Sequence, residues 1–365
     1  MVNKNVLRRE QQQLNETFKT RVNCFFNIGL FVTERKLTLH CLTDMASLKL
    51  PQLVPSPTQD SERLRKAFQG FGTDEKATIL VLGHRNAQQR KEIKETYQQL
   101  YNESLIDRLH SELSGDFRNA LILWTYDPPE RDARLAKDAL KAKKKGIKQL
   151  QVLVEIACAS TPNHLMAVRK AYCSLFDCSL EEDIIASVAS PLRKLLVSLV
   201  SSYRYDKVAV SLEVAKSEAS KLHEAISNKQ LDDDHIVWIL STRNLFQLRE
   251  TFACYKQLYG TTLEQGIKNC GNGDLQSLLN VVIWCIDCPE KHFAKVIRDS
   301  IIGLGTDEDS LNRAIVTRAE IDLLKVRFEY ANMYKSSLDD AVVGDTSGDY
   351  KDFLMTLLGK GPKGE

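Results

Sequence analysis

The chain has 365 residues, 43% of them hydrophobic, with 50 basic and 48 acidic side chains for a formal net charge of +2; that is enough chain for a substantial core or for several domain-sized units. Its longest strongly apolar stretch, Leu278 to Ile286, is broken by Asn280 and falls far short of the roughly 20 residues a membrane-spanning helix needs. Nine cysteines at irregular spacing, with no signal peptide, read as reduced cytosolic thiols rather than as a disulfide scaffold.

The first 44 residues stand outside the pattern that organises the rest. They carry seven basic and four acidic residues, leaving 43 against 44 and a net charge of −1 for the remainder. Their apolar patch, Cys24-Phe25-Phe26, is too short to anchor, and the acids argue against a transit peptide. Residues 1–45 therefore read as a poorly ordered extension.

Beyond it one unit is used four times. Windows opening at Tyr97, Tyr172, Tyr255 and Tyr330 superpose at offsets of 75, 83 and 75 residues. The same offsets align Leu105, Leu180, Leu263 and Leu338, then Phe117, Leu192, Leu275 and Tyr350. So long a period makes each unit a small bundle whose buried faces are completed by its neighbours. Strand signals are sparse, and Ala77 to Leu82, Leu150 to Ala157, Ile236 to Leu240 and Leu311 to Val316 sit between acidic or amide-rich starts and basic or polar exits, which favours helices. The fold class is all-α.

Near the start of the first unit stands Gly70-Phe71-Gly72-Thr73-Asp74-Glu75, and near the start of the last its near copy, Gly303-Leu304-Gly305-Thr306-Asp307-Glu308. An acid follows each second glycine at a distance of forty residues: Glu112 and Asp345. A glycine loop that turns carbonyls outward, paired at fixed separation with a carboxylate, is an all-oxygen site for a hard cation such as Ca2+. The offsets take Glu112 to Ser187 and Cys270 in the middle units, where the glycines are lost as well: Gly70 and Gly72 map to Lys145 and Ile147, then to Asn228 and Gln230. Loop and acid persist together and vanish together, so two working sites are expected. Thr73 and Thr306 read as helix N-caps, with the following acids in the first turn, where the helix dipole favours negative charge.

These loops, their acids, the fourfold helical repeat, Arg85, Arg243 and Arg318 at repeat-equivalent positions, and Leu-Trp-Thr-Tyr-Asp-Pro at 123–128 resemble the annexin family, and plant annexins in particular, over residues 46 to 360. The resemblance implies a slightly curved disc of four repeats of about five helices each. It divides the chain into an N-terminal segment (46–60) and repeats at 61–130, 133–205, 216–288 and 291–360. It also implies calcium-dependent binding to acidic phospholipid through loops on the convex face. The carbonyls of Phe68, Gly70 and Gly72 with both oxygens of Glu112 would give five ligands, and Ile302, Gly303, Gly305 and Asp345 would serve the fourth repeat. Calcium takes six to eight, so a lipid phosphoryl oxygen can complete the shell.

Phe71 and Leu304, between the paired glycines, would project from the loop tips into the headgroup boundary. The run Lys141, Lys143, Lys144, Lys145 and Lys148 falls where the second repeat has lost its loop, so these ammonium groups are expected to contact anionic lipid without calcium. The alternative reading is a weak peroxidase-like or nucleotide-hydrolysing enzyme: His84 matches a plant-annexin histidine discussed as a haem ligand, Cys158 and Cys285 match cysteines proposed for redox chemistry, and Asp345-Thr346-Ser347-Gly348 fits a loose DxxG pattern. A haem signature and a GxxxxGK[ST] loop are both missing from the sequence. A calcium-permeable channel or a link to F-actin is suggested by the family alone. The expectation is a cytoplasmic monomer that associates reversibly with the plasma membrane or endomembranes, with self-association there left open and no nucleic-acid partner.

Overall fold

A computed structural model describes residues 45–70, 72–143, 146–271, 273–303 and 305–361. Residues 1–44, where the sequence places an extension, lie outside the described residues, as do Phe71, Lys144, Lys145 and Leu304. Among the described residues there are twenty α-helices and no strand. The first repeat contributes α1 (Pro57–Ala67), α2 (Glu75–Leu82), α3 (Ala87–Tyr101), α4 (Leu105–Glu112) and α5 (Gly115–Thr125). The second follows with α6 (Pro128–Lys141), α7 (Ile147–Cys158), α8 (Pro162–Phe176), α9 (Leu180–Ser187) and α10 (Leu192–Ser201). The third has α11 (Leu212–Ser227), α12 (Asp234–Thr242), α13 (Leu245–Tyr259), α14 (Leu263–Lys268) and α15 (Asp274–Asp287). The fourth has α16 (Pro289–Ile301), α17 (Glu308–Arg318), α18 (Leu323–Tyr334), α19 (Leu338–Asp345) and α20 (Gly348–Leu357).

The helix ends are written into the sequence. Ser104, Ser179, Thr262 and Ser337 each accept a hydrogen bond from the backbone N–H three residues on, capping α4, α9, α14 and α19 at equivalent positions. The third helix of every repeat stops on a residue in the left-handed region: Asn102, Asp177, Gly260 and Lys335, with φ of 51°, 53°, 73° and 56°. Such a residue closes the last turn and redirects the chain.

The four leading tyrosines are all buried, at 0–1% exposure. Each packs on an aromatic four residues later: Tyr101, Phe176, Tyr259 and Tyr334, with ring centroids 4.8, 4.9, 5.2 and 5.0 Å apart. One buried cluster gathers the second and third repeats, from Ala133 to Ile286, and another gathers the first and fourth, from Leu64 to Trp124 and Phe293 to Leu358. The two loops therefore belong to one module although they are far apart in sequence. Ser47 ties the N-terminal segment to that module through Ala319 and Leu357. The modules are joined by the buried carboxylate of Glu155 on α7, which accepts from His292 Nε2 of α16 at 2.7 Å and from Arg313 of α17.

Arg85 and Arg243 occupy equivalent places in their repeats and meet equivalent acids. Arg85 forms a two-pronged pair with Asp60 (2.6 and 2.8 Å), both almost wholly buried, and Arg243 pairs with Glu218. Arg318 instead pairs with Asp322 of its own repeat, four residues on, at 2.6 Å. Truncating one member of a buried pair strands the other charge, at a cost of about 3–5 kcal/mol. Asp60→Ala is expected to lose stability on that scale in denaturant melts, and retention of the parental midpoint refutes this account of the pair.

Asp132 of α6 is buried beside Arg131 Nε and His164 Nε2, both at 2.7 Å. Burial pushes its carboxyl up, but the charge of Arg131 and the hydrogen bond from His164 outweigh that and hold it at about 2 against an ordinary 3.8. A carboxylate depressed on folding contributes stability that is complete above its unfolded value and is lost as pH falls through the folded one, here about 2 kcal/mol. Stability measured between pH 4 and pH 2 should therefore fall less steeply in Asp132→Asn than in the parent chain; identical slopes contradict the assignment.

Candidate functional site: two glycine loops and their acids

Both loops are built by the same backbone. Gly70 and Gly72 have φ of +112° and +84°, Gly303 and Gly305 +126° and +89°. A Cβ at any of the four would meet nothing within 4 Å, so glycine is needed for the handedness of the chain and not for space. One hydrogen bond closes each loop: Asp74 N–H donates to Ala67 O at 2.9 Å and Asp307 N–H to Ser300 O at 2.8 Å. This register makes Ile301 the counterpart of Phe68. The sequence reading of Ile302 as the fourth-repeat ligand is thereby shifted by one residue, and applying the 233-residue offset of the glycines to Phe68 would have found it.

The threonines do not cap α2 and α17, contrary to expectation. Asp74 caps α2, its side chain accepting from Ala77 N–H at 2.9 Å, and Asp307 precedes α17. The hydroxyls turn instead to the distant acids. Thr73 Oγ1 donates toward Glu112 O (3.2 Å) and Oε2 (3.0 Å), and Thr306 Oγ1 toward Asp345 O (3.3 Å) and Oδ2 (2.6 Å). Each acid is the last residue of its helix, α4 or α19, and the threonine fixes it against its loop.

In the first repeat a single cationic nitrogen reports that loop and acid converge. Arg108 Nη2 donates to Phe68 O at 3.0 Å and forms an ion pair with Glu112 Oε1 at 2.7 Å. A backbone carbonyl and a carboxylate oxygen forty-four residues apart thus face one positive charge, which is the donor set a hard cation requires. Sequence reading missed Arg108, because an arginine four residues before a glutamate on a helix looks like an ordinary surface pair. The equivalent position in the fourth repeat is Ala341.

The middle repeats depart from this arrangement. In the third, Gln230 N–H returns to Ala225 O at 2.9 Å after five residues, where the first repeat takes seven. Cys270, in place of Glu112, has its Sγ 3.3 Å from Ile226 O, the counterpart of Phe68 O. In the second repeat Lys143 is exposed, and Lys148 reaches across to Asp307 of the fourth-repeat loop at 2.6 Å. Burial pushes the Asp307 carboxyl up, and hydrogen bonds from Lys148 and Ser310 outweigh it and hold it down.

The histidine and cysteines of the enzymatic alternative lie elsewhere, while Asp345 of its DxxG pattern is the acid of the fourth-repeat loop. His84 is buried at the end of α2 with Nδ1 3.2 Å from Leu80 O. Cys158 and Cys285 are buried in the core of the second and third repeats, and burial raises both thiols, which disfavours the reactive thiolate. Among the described residues no three His, Cys, Asp or Glu side chains converge as a metal cluster would need, and no helix is long and apolar enough to cross a membrane.

The annexin family model matches residues 59–124, 131–199, 217–282 and 292–357. Over 318 residues the chain is 61% identical to annexin D3 of Arabidopsis thaliana, covering 86% of this chain and 99% of that one. Among solved structures it is similar to annexin III, with a TM-score of 0.81 at 31% identity over 87% of this chain and 98% of the other. It is similar too to the calcium-bound annexin (Sm)1, with a TM-score of 0.76 at 30% identity over 86% and 93%. With its four matched repeats, its all-helical fold and its relatives among plant annexins, this chain belongs to the annexin family, known for calcium-dependent phospholipid binding.

Proposed function

We propose that this protein docks peripherally on acidic phospholipid through Ca2+ held at the first and fourth repeats. The ligands are the carbonyls of Phe68, Gly70 and Gly72 with Glu112, and those of Ile301, Gly303 and Gly305 with Asp345. The observation that carries this reading is the convergence of Phe68 O and Glu112 Oε1 on one cationic nitrogen, supported by the matching threonine–acid contact in both loops. Bound calcium supplies a hard positive charge with coordination positions left over for lipid phosphoryl oxygens. Since each partner completes the other's site, lipid and ion raise one another's affinity by the same factor. Repeats at 61–130, 133–205, 216–288 and 291–360, behind an N-terminal segment at 46–60, are the units of this reading. Phe71 and Leu304 are assigned a contact with the membrane.

Vesicles of phosphatidylserine should carry the protein down in a calcium-dependent manner, and phosphatidylcholine vesicles should not. The Glu112→Gln, Asp345→Asn double variant should lose sedimentation at calcium concentrations that saturate the parent chain; undiminished binding would falsify the site.

The lysines at 143, 144 and 145 are assigned an accessory contact with anionic lipid, worth up to about 1 kcal/mol each near the surface and screened by salt. Lys148 is left out of that contact because Asp307 holds it. In chelator, residual binding to phosphatidylserine should fall when the three become glutamine, and no change removes the assignment.

A further inference from the structure

We infer that Arg108 is a resident cation of the first-repeat loop, seated where a divalent ion would bind and displaced from it when calcium enters. This deepens the function proposed above and rests on it. Two of the protein oxygens assigned to the ion already face one nitrogen of Arg108, Phe68 O as a hydrogen-bond acceptor at 3.0 Å and Glu112 Oε1 in an ion pair at 2.7 Å. Calcium draws its oxygens to about 2.3–2.6 Å. The same two atoms cannot serve both partners, and two positive charges at so short a distance repel strongly.

The guanidinium has a place to go. Its Nη1 lies 3.7 Å from Glu103 Oε1, whose other oxygen holds Arg65 Nη1 at 2.7 Å. Arg108 thus stands between two carboxylates, close to the one that faces the loop and farther from the other. Its side chain is about a quarter exposed. An ordinary helix pair four residues apart accounts for the Glu112 contact but not for the bond to a loop carbonyl forty residues upstream.

The fourth repeat lacks this device, since Ala341 stands at the equivalent position. The two loops therefore fill in order: the fourth at lower calcium, the first only when the ion, with lipid oxygens, outcompetes the arginine. The chain then gives a stepped response to calcium instead of a single threshold.

The test isolates the first-repeat loop in an Asp345→Asn background and adds Arg108→Gln. Calcium titrations by calorimetry, and co-sedimentation with phosphatidylserine vesicles across calcium, compare the two proteins, with thermal melts confirming that both fold. Displacing an ion pair of this exposure corresponds to a calcium midpoint lowered about 3- to 10-fold on removing Arg108. At about 0.5 M salt the Debye length is roughly 4 Å, which screens any diffuse effect of the lost charge, so the tightening should persist there. In a Glu112→Gln background, which leaves the fourth loop alone, Arg108→Gln should change nothing. An unchanged or raised midpoint in the first background overturns the inference and makes Arg108 a brace of the loop. If neither Asp345→Asn protein takes up calcium even with vesicles present, the first-repeat site falls and the inference with it.

Discussion

The threonine hydroxyl that reaches from each glycine loop to the carboxylate at the end of a short helix is the contact on which the rest depends. It spans thirty-nine residues in both repeats, Thr73 to Glu112 and Thr306 to Asp345. A loop with two glycines in the left-handed half of conformational space has little local reason to hold one shape. The hydroxyl and the closing bond from the next aspartate N–H give it one. The packing of α4 on α3 and α5, and of α19 on α18 and α20, brings those atoms together. The shared core of the first and fourth repeats does this for both loops at once.

Much of this was legible in the sequence. Four tyrosines at matched offsets predict four equivalent buried positions, and all four are buried on an aromatic one turn later. The glycines and acids of the first and last repeats predict which loops retain the open geometry. The pairing of the first repeat with the fourth was not legible, because a linear repeat pattern shows which faces are apolar but not which neighbour covers them. The threonines were misread because a threonine before two acids and an apolar run satisfies the capping pattern, and only the packed structure offers it a carboxylate thirty-nine residues away. Arg108 was hidden for a related reason: its local partner is obvious and its remote one is not.

The middle repeats show how such a site is lost. The closing bond from Gln230 to Ala225 spans fewer residues than its first-repeat counterpart from Asp74 to Ala67, and a thiol at 270 hydrogen-bonds the carbonyl equivalent to Phe68 O. Loss of the glycines and loss of the acid are therefore one event in structural terms. With no loop to face, a carboxylate at 270 would be a partly buried charge beside a carbonyl, a repulsive arrangement that cysteine relieves. The second repeat has taken another course and lends its Lys148 to the fourth-repeat loop.

That loan bears on which acids are available to an ion. Each loop carries two acids of its own, and a reading from charge alone would make all of them ligands. Asp74 is occupied by Ala77 N–H and Asp307 by Lys148 and Ser310, so both serve the start of the following helix, where the dipole favours them. The carboxylates that the threonines hold against the loops are Glu112 and Asp345. Both are met by a threonine, and Glu112 by an arginine as well. The two sites thus differ in a neighbour of the acid as well as in the acid itself, and a pattern of ligand residues carries only the second difference.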